Sequence, residues 1–116
     1  MPVKHVEFIT LEDEQDLVVS FALAPSGQES LTLLRAPHYE HLLPPEERRA
    51  TVSLSSQREE GDHVKSVLWQ GSRVEVRSEK HTYVLEASAI TQEDKDGAVA
   101  VLRKMVKDGE LHVPAA

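Results

Sequence analysis

Cysteine is missing from this chain, and rings are scarce: one tryptophan, two tyrosines and two phenylalanines in 116 residues. Without thiols there is no disulfide, no thiolate metal site and no cysteine nucleophile, so the fold must hold by its core alone. Few rings leave little for stacking on nucleic-acid bases, and Trp69 and Tyr83 fall at positions that alternation assigns to a core. Basic residues are the minority, 13 Lys and Arg against 20 Asp and Glu, for a formal charge of −7. That field opposes nucleic-acid phosphates and anionic membranes and suits a basic partner or a modest small molecule. No window approaches the roughly 18 uninterrupted apolar residues of a membrane span. The opening Met1-Pro2-Val3-Lys4-His5 has no apolar stretch of the signal-peptide kind, so a soluble cytoplasmic protein is expected. The G-x-S-x-G, P-loop, G-x-G-x-x-G and H-E-x-x-H patterns are absent. No catalytic residue and no cofactor is assigned.

What is present suffices for a single domain over residues 1–116. A chain of this length and 40% hydrophobic content can bury roughly two thirds of its unfolded surface on one core. Register is most legible between Val64 and Ala87, which reads as a three-stranded antiparallel meander. Gly71-Ser72 between two alternating runs suits a two-residue type II′ loop, setting Gln70 opposite Arg73, Trp69 opposite Val74 and Val67 opposite Val76. A two- or four-residue turn around Ser78-Glu79-Lys80-His81 then pairs Val76 with Tyr83 and Val74 with Leu85. One face becomes Val67, Trp69, Val74, Val76, Tyr83, Leu85 and Ala87. The other carries Arg73 against Glu86, a row of Ser66, Arg77 and Thr82, and a partly apolar row of Leu68, Glu75 and Val84.

Upstream, Val3–Leu11 reads as a strand with Val6 and Phe8 on one side, bending into Ile9 and Leu11 and an acidic turn over Glu12–Asp16. Leu17, Val19, Phe21 and Leu23 make a second, more buried strand, broken by Pro25-Ser26-Gly27. An odd-length loop then sets Leu31, Leu33 and Arg35 opposite Leu23, Phe21 and Val19. His38–Leu43 can form a short helical turn packed through Tyr39, Leu42 and Leu43 and stopped by Pro44-Pro45, within a crossover between two groups of strands. Val52 and Leu54 mark a half-buried strand ending in Ser53-Leu54-Ser55-Ser56, and Gln57–Asp62 a charged loop. Thr91 with Asp94 starts an amphipathic helix whose stripe is Ala98, Val101, Leu102 and Met105, with Gly109 as its stop. Gly97 inside it costs about 1 kcal/mol against alanine, unless a close neighbour needs the missing side chain. Leu111 and Val113 suggest a short last strand before a fraying Pro114-Ala115-Ala116.

The expected fold is therefore α+β: a mostly antiparallel sheet of six to seven strands, with room to curl toward a half-barrel, covered on one face by the C-terminal helix. Six histidines raise a metal question, and His38-x-Glu40-His41 is the tightest cluster. Residues i and i+3 share a helix face, but the third and fourth ligands are wanting, because His5, His63, His81 and His112 fall on separate elements. The bland reading of that cluster is a surface turn whose Tyr39 and Leu42 do the packing. Glu40 with His41, or Glu75 with Arg73 and Arg77, could do acid–base work in a cleft, but nothing in the sequence shows one. The interleaved charges read first as cross-strand pairs on a solvated sheet face and second as a patch for an anion or acidic partner. The reading that composition and pattern favour is a non-enzymatic interaction module. Its surface is Leu68, Arg73, Glu75, Arg77 and Val84, and a homodimer is its simplest form. The alternative is a small-molecule binder or enzyme with a pocket between sheet and helix, lined by Trp69, Tyr83 and a histidine.

Overall fold

A computed structural model describes residues 3–56, 62–106 and 110–113. Alternating apolar side chains extend most of the chain into strands: β1 (Lys4–Asp13), β2 (Leu17–Leu23), β3 (Glu29–Arg35), β4 (Thr51–Leu54), β5 (Val64–Gln70), β6 (Arg73–Ser78), β7 (Thr82–Glu86) and β8 (Glu110–His112). One helix, α1 (Gln92–Met105), and two short 3-10 helices, Pro37–Leu42 and Pro45–Glu47, complete the described elements. The strands form one eight-stranded sheet in the order β4-β3-β2-β1-β7-β6-β5-β8, one strand more than the upper expectation because β8 adds to the edge. Two joints are parallel, β1 with β7 and β5 with β8; the remaining pairs are antiparallel.

The sheet is open, yet it bends far enough for β4 to meet the approach to β5. Thr51 and His63 form an isolated bridge, with Val52 N–H donating to Asp62 O at 2.9 Å and Val64 N–H to Ala50 O at 2.9 Å. Inside the curve a single core gathers Val19, Phe21, Leu31, Leu33, Val67, Trp69, Val74 and Leu85 with Ala98, Val101, Leu102 and Met105 of α1. The helix packs against β1 and β2. Its Thr91 hydroxyl accepts from Asp94 N–H at 3.1 Å, the N-cap that the Thr-x-x-Asp spacing predicts. A Cβ on Gly97 would stand 3.2 Å from Leu11 Cδ1, so the helix glycine is where β1 comes close. Gly109, Lys107, most of the charged loop and Pro114-Ala115-Ala116 lie outside the described residues.

The β5-β6-β7 meander has the register read from its turns, from Gln70 opposite Arg73 to Arg77 opposite Thr82. Gly71 takes φ +60°, and Ser26 is the sole non-glycine residue described with a positive φ, which is the type II′ signature for Gly71-Ser72. The β2–β3 hairpin departs from expectation: Leu31 faces Phe21, Leu33 faces Val19 and Arg35 faces Leu17, two residues from the anticipated pairing. The loop is shorter than supposed because Ser26 and Gly27 adopt left-handed φ of 64° and 68°, closing a turn in which Gly27 N–H donates to Leu23 O at 3.0 Å. Parity survives, so the same residues face inward. In β1 a bulge between Val6 and Phe8 moves the two onto opposite faces: Val6 is buried, and Phe8 is exposed on the outer face opposite Ala22.

Candidate interaction surface

The outer face of the β5-β6-β7 meander holds the residues that the pattern assigns to a surface. Register sets Leu68 beside Glu75 and Glu75 beside Val84, and all three are half-buried. Arg77 Nε donates to Glu75 Oε1 at 3.0 Å along its own strand. The β8 strand places His112 next to Leu68, and a depression of about 180 Å³ forms among Ser66, Leu68, Glu75, Arg77 and His112. Arg73 stands opposite Glu86 in register, but the Glu86 carboxylate is engaged elsewhere: it accepts from Ser88 N–H and Oγ, both at 2.8 Å, and lies 3.4 Å from His5 Nδ1. These contacts, the Ser88 hydroxyl foremost, hold the Glu86 carboxyl below its usual range.

The space between sheet and helix is filled by side chains. Trp69 is 1% exposed, with its ring 5.9 Å from that of Phe21, and Lys95 Nζ lies 5.8 Å above it. A depression of about 310 Å³ does open at that end, lined by Gly71, Ser72, Ile90, Thr91 and Lys95 with the rim of Trp69. Tyr83, buried farther along, and the histidines do not line it.

The members of the His38-x-Glu40-His41 cluster lie on one 3-10 helix, each with surroundings of its own. His38 Nδ1 lies 3.0 Å from Gln15 O and 3.6 Å from Asp16 Oδ1, and His41 points to solvent. Among the described residues no group of three histidine or carboxylate side chains is placed to hold a metal ion. Glu40 turns instead to Arg35. The guanidinium, only 4% exposed, donates from Nε and Nη2 to the two Glu40 oxygens at 2.6 and 2.9 Å. It also donates from Nη2 to Arg48 O at 2.7 Å and from Nη1 to Met105 O at 3.0 Å. A rigid planar fork suits this task, since each donor meets a fixed acceptor. The clamp reverses one expectation: with Glu40 drawn inward, Tyr39 and Leu42 face out, 56% and 70% exposed, rather than packing the turn. In a 3-10 helix residues three apart eclipse, so the two share that outer side.

The second buried charge, Asp62, accepts from Ser78 Oγ at 2.7 Å and from Lys80 N–H at 3.1 Å, and so pins the β6–β7 turn. Neither node was assigned from the sequence. A signal for the first exists, since Arg35 ends an inward alternation of Leu31 and Leu33 and needs an acid within reach; Glu40 is five residues on. No helix of the described residues is long and apolar enough to cross a membrane. No protein-family model matches the chain, and neither a curated protein nor a solved structure matches it significantly.

Proposed function

We propose that this protein is a cytoplasmic, non-enzymatic interaction module that works through the outer face of its second meander, with another copy of the same chain as partner. The observation that carries the reading is the composition of that face. Half-buried Leu68 and Val84 sit among Arg73 and Arg77 on one side of the charge balance and Glu75 and Glu86 on the other. A face holding equal numbers of both signs can be complementary to itself across a two-fold axis, as an isologous dimer requires. Elsewhere two chains of charge −7 repel. Light scattering on Leu68→Asp tests this: the variant stays folded and falls from dimer to monomer mass, because a half-buried surface leucine is tolerated as a charge only where nothing covers it. A monomeric wild type, or a dimer mass untouched by the substitution, overturns the assignment.

The depression beside Trp69 favours a second reading, a small ligand bound over the Trp69 rim and Lys95. Tryptophan fluorescence shifting on addition of metabolites is the expected sign, and silence across a broad panel counts against it.

A further inference from the structure

The crossover between β3 and β4 is held firmly, and it holds apolar side chains in the solvent. Tyr39, Leu42 and Leu43 are 56%, 70% and 37% exposed, and Leu34 on the adjoining outer face of β3 is 41% exposed. A depression of about 170 Å³ opens among Leu34, Tyr39, Leu43 and Thr51, with Glu47 and Arg49 also on its wall. The backbone beneath is tied at three points: Glu40 to the buried Arg35, His38 Nδ1 at 3.0 Å from Gln15 O, and Arg48 Nε donating to Leu43 O at 2.9 Å. The exposed side chains are thus presented in place, which lowers the entropic cost of docking on them.

Acidic residues border this patch on two sides. The β1–β2 turn lies against it through His38, bringing Asp16 and Glu14, and Glu12 occupies the same outer row as Val18 and Leu34. On the other side Glu46 and Glu47 stand exposed on the second 3-10 helix. Glu12, Glu14, Glu46 and Glu47 form no ion pair among the described residues. The nearby arginines are turned to other work: Arg48 to Leu43 O, and Arg49 to Glu79 at 2.6 Å and Glu46 O at 3.2 Å.

We propose that the crossover docks a basic segment of another protein, one that sets two apolar side chains a helical turn apart against Tyr39 and Leu42 and places lysines or arginines against the two acidic borders. This goes beyond self-association through the second meander and does not depend on it. A second copy of the chain would bring the same acids onto the acids, and an anionic bilayer would meet like charge.

Fluorescence anisotropy with two labelled synthetic amphipathic helices tests it, their leucine positions identical and their polar face lysine in one and glutamate in the other. The lysine peptide should bind the full chain at least about tenfold more tightly, equivalent to about 1.4 kcal/mol. Leu42→Asp should weaken that binding about tenfold. This variant discriminates sharply, because it adds an acid: an association driven by charge alone would tighten. Both Tyr39→Ser and Leu42→Asp fall on exposed side chains, so unchanged circular dichroism is expected. Glu46→Lys with Glu47→Lys should weaken binding and flatten its salt dependence. Leu68→Asp should leave peptide affinity unaltered, which separates this site from the proposed dimer face. Equal affinity for the two peptides, undiminished binding by Leu42→Asp, or recruitment by phosphatidylserine vesicles in place of the lysine peptide overturns the proposal.

Discussion

Among the described residues two charged side chains are buried, Arg35 in β3 and Asp62 just ahead of β5, and the two are used differently. Arg35 at the end of β3 reaches across the molecule: its donors meet the crossover at Glu40 and Arg48 and the helix end at Met105, 70 residues away in sequence. Asp62 acts at shorter range, 16 to 18 residues, accepting a hydroxyl and a backbone N–H from a single hairpin turn. The first node decides how separate elements sit together, and the second decides the shape of one turn. A long planar cation with several donors can join three elements, whereas a short carboxylate can only gather groups that a turn already brings close.

Substitutions should separate the two by size. Arg35→Ala leaves Glu40, whose side chain is 16% exposed, facing a cavity and takes from the Met105 carbonyl its guanidinium donor. Loss of about 3 kcal/mol or more in urea unfolding is expected. Because the clamp turns Tyr39 and Leu42 outward, the same variant should also lose binding of the lysine peptide. A loss below about 1 kcal/mol would show that the crossover does not rely on this node. Asp62→Ala removes the carboxylate that accepts from the Lys80 N–H and the Ser78 hydroxyl, leaving that hydroxyl only the His81 carbonyl at 3.1 Å, and should cost about 2 kcal/mol, with Asp62→Asn recovering part of it by restoring an acceptor. Equal losses for Arg35→Ala and Asp62→Ala would erase the distinction drawn between a long-range and a local charge.

The smallest effect belongs to the surface pairs. The Lys4 ammonium, 3.0 Å from Glu29, holds that carboxyl below its usual value of 4.5; the Arg49 guanidinium does the same for Glu79, and Ser88 for Glu86. A carboxyl with a lower pKa in the folded state than in the unfolded chain stabilises the fold fully above its unfolded pKa. The contribution fades as pH falls through the folded value. Thermal melts from pH 7 down to 4.5 should therefore barely change on account of these three groups, with a shallow decline below 4.5. Arg49→Ala should lower the melting temperature only slightly, since the pair is solvent-screened. A steep loss between pH 6 and 7 would point to other titrating groups.

Legibility follows the same division. The β5-β6-β7 register could be read residue by residue because the two-residue Gly71-Ser72 turn leaves no slack, and a two- or four-residue turn over Ser78–His81 gives the same pairs for β7. The five-residue loop after Leu23 gave parity but not register, since the left-handed Ser26 is a conformation that serine seldom announces. Phe8 was misplaced because a bulge leaves no mark in composition. The candidate surface around Leu68, Glu75 and Val84 was legible from alternation alone. The His112 that lines it was not, because β8 arrives from the far end of the chain. Tyr39 and Leu42 were read as packing residues on a spacing that fits either side of a short helix; a salt bridge decides which side faces in.

By itself, then, the sequence determined the elements, the alternation that sorts inner from outer side chains, the capped helix and the acidic field, because each depends on residues near one another in the chain. Only the tertiary structure decided the parallel joint of β1 to β7, the bridge from β4 to the approach of β5, and the outward turn of the crossover. These rest on groups far apart in sequence, and a buried guanidinium with an acid within reach becomes a constraint only once the sheet has curved around it.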